Sequence, residues 1–319
     1  MFLSEQSRLT GMAAVGSRFH GQGERMQETD GGTLLLVNPN ARSGEEELGE
    51  LILPLQDLGP VIAPKSLGRE AARKAIAHHA GSVARVVVGG GDGSLHAVLP
   101  AVLEADLPLG VLPLGTANDF ARSLGIADVP TAVEAIVAGR TKAVDVGTVN
   151  GTCFLNAVGI GLGPAINRDL DQQSKSSFGV FAYLIHGVRN LRRNRGMFAV
   201  IQCDDRRYAL RSLQITIGNG VHYGGGMTIA SDARLDDGLL DVLSIPPQSA
   251  WRLLVKGPAI RSGNTARIDE LQTFRASEVS VSTRKPRDVT ADGELVTRTP
   301  IQCRVLAAKL QVFAPTKTE

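Results

Sequence analysis

Val86-Val87-Val88-Gly89-Gly90-Gly91-Asp92-Gly93-Ser94 is the stretch on which the fold turns. A run of valines suits a strand buried on both faces. It breaks into glycines, which let the backbone turn sharply and come close to a ligand. Residues 94–104 then carry Leu, Ala and Val at helical spacing, so the turn opens a helix whose free amides favour an anion such as phosphate. The segment is neither a Walker A loop, since Gly-Lys-Ser/Thr is missing, nor G-x-G-x-x-G, since Ser94 stands where the third glycine belongs. Taken alone, it is equally well explained as a tight strand-to-helix connection.

Working outward, short apolar runs at 34–37, 85–88 and 109–112 each lead into a Gly- or Asn-rich turn. Helical spacing occupies 45–58, 69–80, 94–104 and 117–124, with Pro54 interrupting the first, and a further helix covers 130–139. Alternating strands and helices predict a doubly wound α/β domain with a parallel sheet. In such a sheet the carboxyl ends of the strands line one crevice. The turns Asn38-Pro39-Asn40-Ala41-Arg42-Ser43-Gly44 and Gly115-Thr116-Ala117-Asn118-Asp119 would then converge with the glycine turn on one ligand.

After residue 140 the rhythm becomes strand on strand. Asn150-Gly151 between 142–149 and 152–158 is a hairpin signal. A helical stretch at 178–193 is followed by β-rich runs at 197–203, 208–217, 238–245, 278–283, 288–291 and 301–313. This half predicts a mostly antiparallel β-sandwich. The expected division is a leader over 1–31, a nucleotide-binding α/β domain over 32–140, and a β-sandwich domain over 141–304, with a last strand at 305–319 packing back on the first domain.

The chain has 319 residues, long enough for two cores. Its 34 Lys and Arg against 32 Asp and Glu are too balanced for a protein built to bind nucleic acid. Three cysteines with no C-x-x-C suggest neither a disulfide framework nor a zinc site, and point to a reducing, cytoplasmic setting. The apolar stretches are too short or too broken by Gly and Pro to span a bilayer.

The ordered set of motifs resembles the diacylglycerol kinase catalytic family, including its soluble bacterial lipid kinases and the related sphingosine and ceramide kinases. The resemblance runs from about residue 33 to 315. It rests on Asn38-Pro39 with Ser43-Gly44, Gly90-Gly91-Asp92-Gly93-Ser94, residues 112–122, Val144-Asp145-Val146-Gly147, Leu235-Asp236-Asp237-Gly238 and Asp292-Gly293-Glu294. It implies a nucleotide-binding domain like that of phosphofructokinases and NAD kinases, and a lipid acceptor held between this domain and the sandwich.

By that resemblance, Asn38, Pro39, Ser43, Gly44, Gly90, Gly91, Asp92, Gly93, Ser94, Leu95, His96, Ala97 and Thr116 belong to the ATP site. Asp92, Asp119 and Asp145 match acidic positions linked, partly through water, to a catalytic magnesium ion. Arg234, Asp237 and Leu239 match a structural magnesium site. Asp292 matches the general base and Glu294 its supporting carboxylate. The chain departs from the family pattern at Glu45 and Ala97.

The expected function is ATP- and magnesium-dependent transfer of a γ-phosphoryl group to a lipid hydroxyl, diacylglycerol or a related amphiphile. Two alternatives stand beside it: an NAD kinase-like or sugar kinase with a soluble acceptor, and a catalytically weak nucleotide- or lipid-binding regulator. An apolar face on 178–188 with Arg189, Arg192, Arg193 and Arg195 at its end is compatible with peripheral contact at an anionic membrane surface, but an ordinary core helix with cations at its C-terminus explains the same pattern and is the favoured reading. A homodimer is also compatible with the sequence.

Overall fold

A computed structural model gives the fold, and it describes residues 31–38, 49, 52–64, 68–161, 196–223, 227–228, 232–247 and 272–316. The first half runs β1 (Gly32–Val37), β2 (Val61–Ile62), α1 (Arg69–His79), β3 (Val83–Gly90), α2 (Asp92–Ala105), β4 (Leu109–Pro113), α3 (Asp119–Ser123), α4 (Val129–Val137) and β5 (Thr141–Val149). Strands β2, β1, β3 and β4 lie side by side and parallel. The side chains of β1, β3 and β4 are buried on both faces, as the unbroken apolar runs require. In the segment expected to be a helix over 45–58, the described residues include a 3-10 turn at Leu53–Leu58. Pro54 at its start has no N–H for an α-helical ladder, which is compatible only with a helix beginning there.

The second half is β6 (Thr152–Phe154), β7 (Ala157–Gly161), β8 (Met197–Cys203), β9 (Arg206–Ser212), β10 (Gln214–Gly218), β11 (His222–Tyr223), β12 (Met227–Thr228), β13 (Leu240–Ile245), β14 (Gln272–Ala276), β15 (Glu278–Thr283), β16 (Asp288–Ala291), β17 (Glu294–Arg298) and β18 (Ile301–Phe313). Six of these form an antiparallel sheet in the order β14-β13-β10-β7-β16-β17. It packs on β8, β15 and the start of β18 through a core that includes Val158, Ile201, Ile217, Val242, Val279 and Cys303. The α/β domain is thus followed by an antiparallel sandwich.

Two runs read as single strands are broken. Residues 152–158 divide at Leu155-Asn156, so β6 stays with β5 while β7 crosses to the other sheet. Residues 208–217 divide at Leu213, whose N–H bonds the Ile245 carbonyl as the chain changes sheets. Periodicity cannot reveal such a crossing, because both sheets bury an apolar face.

Strand β18 ties the halves together. Its first residues pair with β15, its last pair in parallel with β4 at Val312 and Leu109, and most of its length pairs with β5. Leu310, Val312 and Phe313 enter the first core, whereas Ile301 and Cys303 enter the second. Among the described residues, no helix is long and apolar enough to cross a membrane. The helical stretch at 178–193 lies outside the described residues.

Candidate active site

The glycine turn forms where β3 ends and α2 begins. Val37 registers with Gly89, and Gly90 with Pro113, so the ends of β1, β3 and β4 adjoin. Asn38 Nδ2 donates to Ser94 Oγ at 3.2 Å, joining the first turn to the second. The second and third turns touch backbone to backbone: a Cβ on Gly115 would lie 2.4 Å from the Gly91 Cα. Asn118 closes the third turn, accepting from the Gly115 N–H at 2.9 Å and donating to the Pro113 and Gly115 carbonyls. Thr116 is exposed on it. Pro39, Ser43 and Gly44 lie outside the described residues.

A cleft of about 340 Å³ opens there, with Asn38, Arg69, Gly91, Gly93, Ser94 and Ala97 in its wall. A Cβ on Gly93 would meet nothing within 4 Å, so this helix start is open space. No side chain caps the amides of α2. Uncapped amides and the positive end of a 14-residue helix fit the phosphates of a nucleotide. Two of the residues assigned to ATP turn elsewhere with their side chains: Leu95 is in the core, and His96 faces the second domain.

Two of the three aspartates assigned to magnesium, Asp92 and Asp145, bind backbone through their carboxylates. Asp92 accepts from the Asp119 and Phe120 N–H groups, both at 3.1 Å, and from Asn156 Nδ2 at 2.9 Å. Asp145 accepts from the Gly238 and Ala308 N–H groups, both at 2.7 Å. Asp119 is buried at the start of α3. Among the described residues no three acidic, His or Cys side chains gather into a metal-holding group. Hard oxygen donors reached through water fit a magnesium ion carried by the nucleotide, since that ion keeps several of its waters. They do not form a dedicated protein cage.

The turn assigned to a structural ion is compact. Asp237 Oδ1 accepts from the Leu239 N–H at 3.1 Å, while Gly238 is the residue that hooks onto Asp145. Arg234 bonds Asp236 rather than Asp237. That bond, helped by Lys142 at 3.0 Å, holds the Asp236 carboxyl down at about 2.

Asp292 and Gly293 form the hairpin turn between β16 and β17, both at positive φ. From there the Asp292 side chain, fully buried, reaches the break between β6 and β7. Its Oδ1 accepts from the Asn156 N–H at 2.8 Å and the Ala157 N–H at 3.1 Å, and its Oδ2 from the Leu155 N–H at 2.9 Å. His96 Nδ1 lies 3.2 Å from the same Oδ2. Glu294 does not reach Asp292; it pairs with Arg69 of the cleft wall at 2.6 Å, with both side chains about half exposed.

Three residues of this junction were not foreseen in these roles: Arg69, His96 as the partner of Asp292, and Asn156, whose side chain bonds Asp92 while its N–H bonds Asp292. The sequence did hold a signal for the last, since Asn156 is the one strongly polar side chain in Phe154-Leu155-Asn156-Ala157-Val158. A buried amide in an apolar run must find partners.

Comparison with known proteins follows the same division of the chain. Residues 32–149 match the diacylglycerol kinase catalytic domain, and residues 156–314 match the YegS C-terminal NAD kinase beta sandwich-like domain. The chain belongs to the diacylglycerol kinase catalytic family. A relative from Pseudomonas aeruginosa (strain UCBPP-PA14), named "Probable lipid kinase YegS-like", is 31% identical over 287 residues, covering 88% of this chain and 94% of that one. A "Probable lipid kinase YegS" from Escherichia fergusonii is 30% identical over 293 residues, covering 89% and 96%. The crystal structure of a diacylglycerol kinase from Bacillus anthracis str. Sterne shares the fold, with a TM-score of 0.72 at 23% identity, covering 90% of this chain and 98% of that one. In this family member, the helix that follows the Gly-rich turn meets the Asp292 turn through His96.

Proposed function

We propose that the protein is an ATP- and magnesium-dependent lipid kinase acting on diacylglycerol or a closely related lipid alcohol. The observation that carries this reading is the contact between His96 of α2 and Asp292 of the sandwich. The helix whose start is open to phosphate is the same helix that meets the buried acid of the second domain. A phosphoryl donor on one side and an acceptor hydroxyl on the other would be brought within one reaction distance, and positioning supplies most of what phosphoryl transfer needs from a protein.

The residues divide the work. Asn38, Gly91, Gly93 and Ser94 border the phosphate side, where backbone amides and hydroxyls can bind anionic oxygens. Arg69 stands over the same cleft with a cation free to meet developing negative charge once it leaves Glu294. Magnesium, when carried in by the nucleotide, neutralises charge on the transferring group. The Asp292–His96 pair supplies the proton acceptor. The relatives named lipid kinases support a lipid acceptor, which the enzyme would meet at the surface of a cytoplasmic membrane leaflet.

The test is transfer of label from [γ-³²P]ATP in the presence of magnesium, with diacylglycerol, ceramide, NAD and sugars offered in parallel, the lipids in mixed micelles. Labelled phosphatidic acid is the expected product. Labelling of a soluble acceptor with none of a lipid would overturn the reading in favour of an NAD kinase-like or sugar kinase.

A further inference from the structure

Among the described residues that line the cleft, Arg69 is the single charged side chain, and none is acidic. It stands at the first position of α1, after Gly68, where no side chain caps the helix. The positive end of a helix disfavours a cation. The folding of α1 therefore gives no reason for an arginine there, and the Glu294 carboxylate at 2.6 Å offsets the repulsion. Glu294 opens β17, two residues after Asp292. The pair thus runs from the nucleotide side of the cleft to the strand that leaves the Asp292 turn.

The bond is one that a phosphate can displace. With the side chains 55% and 45% exposed, such a pair contributes no more than about fivefold to an equilibrium constant. Glu294 is the one partner of Arg69 among the described residues, and it takes one of the five N–H donors of the guanidinium. A phosphate presents several oxygens to the planar fork of those donors, which suits it better than a single contact does. The helix itself is held in place: Arg73, one turn on from Arg69, donates from Nε to the Ala97 carbonyl at 2.8 Å and ties α1 to α2. A change of partner requires only the Arg69 side chain to turn.

We propose that Arg69 has two alternative partners, Glu294 and the phosphates of the donor nucleotide, and that the donor, by taking Arg69, releases Glu294 to the acceptor. The inference rests on the kinase reading above and adds to it a coupling between the two substrates. Glu294 competes with the nucleotide for one guanidinium. Once released, its carboxylate can accept a hydrogen bond from the lipid alcohol beside the Asp292 turn. The donor then favours the acceptor, and by linkage the acceptor favours the donor by the same factor. Arg69 and Glu294 act here as positioning residues, and Asp292 keeps its place at the turn.

The experiment is calorimetric titration of magnesium and a non-hydrolysable ATP analogue into wild type, Arg69→Met, Glu294→Gln and the double variant. Methionine keeps the aliphatic stem of Arg69 and removes its charge. Arg69→Met should weaken nucleotide binding roughly tenfold. Glu294→Gln should tighten it by roughly two- to fivefold, since the competing charge is gone. In the Arg69→Met background the same Glu294→Gln change should have no effect, a result that simple removal of a nearby negative charge would not give. A short-chain diacylglycerol should raise the nucleotide affinity of wild type roughly two- to fivefold and that of Arg69→Met not at all. Melting curves should place all four proteins within a few degrees of one another, because both side chains are half exposed. If Arg69→Met does not fold, Arg69→Lys replaces it, keeping the charge without the fork, and should weaken the nucleotide by a smaller factor. An unchanged affinity in Arg69→Met, no tightening in Glu294→Gln, equal tightening with and without Arg69, or a lipid effect that survives Arg69→Met would each overturn the exchange. A wild type that binds no nucleotide would instead remove the kinase reading. One that binds nucleotide but phosphorylates no lipid would remove the lipid acceptor and leave the competition between Glu294 and the nucleotide to be decided by the first three titrations.

Discussion

At the scale of single residues, the junction depends on groups whose loss leaves others stranded. Replacing Asp292 with Ala takes the acceptor from three backbone N–H groups and an imidazole that sit in the protein interior. Each unmatched buried donor costs on the order of 1 to 3 kcal/mol. Water entering the space recovers part of that, so Asp292→Ala should lose about 3 kcal/mol in a urea titration as well as its activity. Asp292→Asn should lose less, because one oxygen remains. The glycines make a second, sharper pair. A methyl at Gly115 would meet the Gly91 backbone, which cannot step aside, so Gly115→Ala should cost about 1 to 3 kcal/mol. A methyl at Gly93 meets nothing, so Gly93→Ala should melt within a few degrees of wild type yet bind ATP roughly tenfold more weakly, by filling the space at the helix start. Equal losses of stability in the two variants would mean that the cleft is not open at Gly93.

At the scale of elements, Asp145 shows how a side chain can set the course of a strand. Its two oxygens hold the N–H groups of Ala308, in the irregular part of β18, and of Gly238, in the loop before β13. Ala308 has a positive φ, an unfavourable conformation for a residue with a Cβ, and the bond to Asp145 is what sustains it there. Asp145→Asn turns one acceptor into a donor aimed at another donor. It should cost about 2 kcal/mol in chemical denaturation, and Ala308→Gly in the same background should return part of that by relieving the backbone. A neutral Asp145→Asn would show that the bulge is held by strand pairing alone. Most elements were legible because their signals are local. The valine runs announced the parallel strands, and Asn150-Gly151 announced its hairpin, where both residues do take positive φ. The crossings at Leu155-Asn156 and Leu213 were not, since their cause is the position of a second sheet. The site shared this limit: Asp292 and the glycine turn could be named in advance, but the pairing of Asp292 with His96 and of Glu294 with Arg69 arises only when distant segments meet.

At the scale of the whole molecule, β18 and the bonds from Asp92 and Asp292 across the junction couple the two cores, so the described parts should unfold together rather than one domain at a time. The sandwich core also makes that transition sensitive to alkali. Cys203 and Cys303 flank Val279 on three neighbouring strands, which sets them about 9.5 Å apart, two strand spacings and too far for a disulfide. Both remain thiols, and burial raises both: Cys303 to about 12, and Cys203 to about 11 with Asp204 adding to the effect. The unfolded chain releases these protons near pH 8.5, so the fold binds more protons than the unfolded state above that value. The stability they contribute is complete below about pH 8.5 and is lost as pH rises toward 11 and 12. The melting temperature should therefore be flat between pH 7 and 8 and fall steeply above 9. In Cys303→Val, which nearly conserves volume and removes one titrating group, the fall should be shallower although the plateau is little changed. Parallel alkaline limbs in the two proteins would mean that Cys303 is not the group responsible.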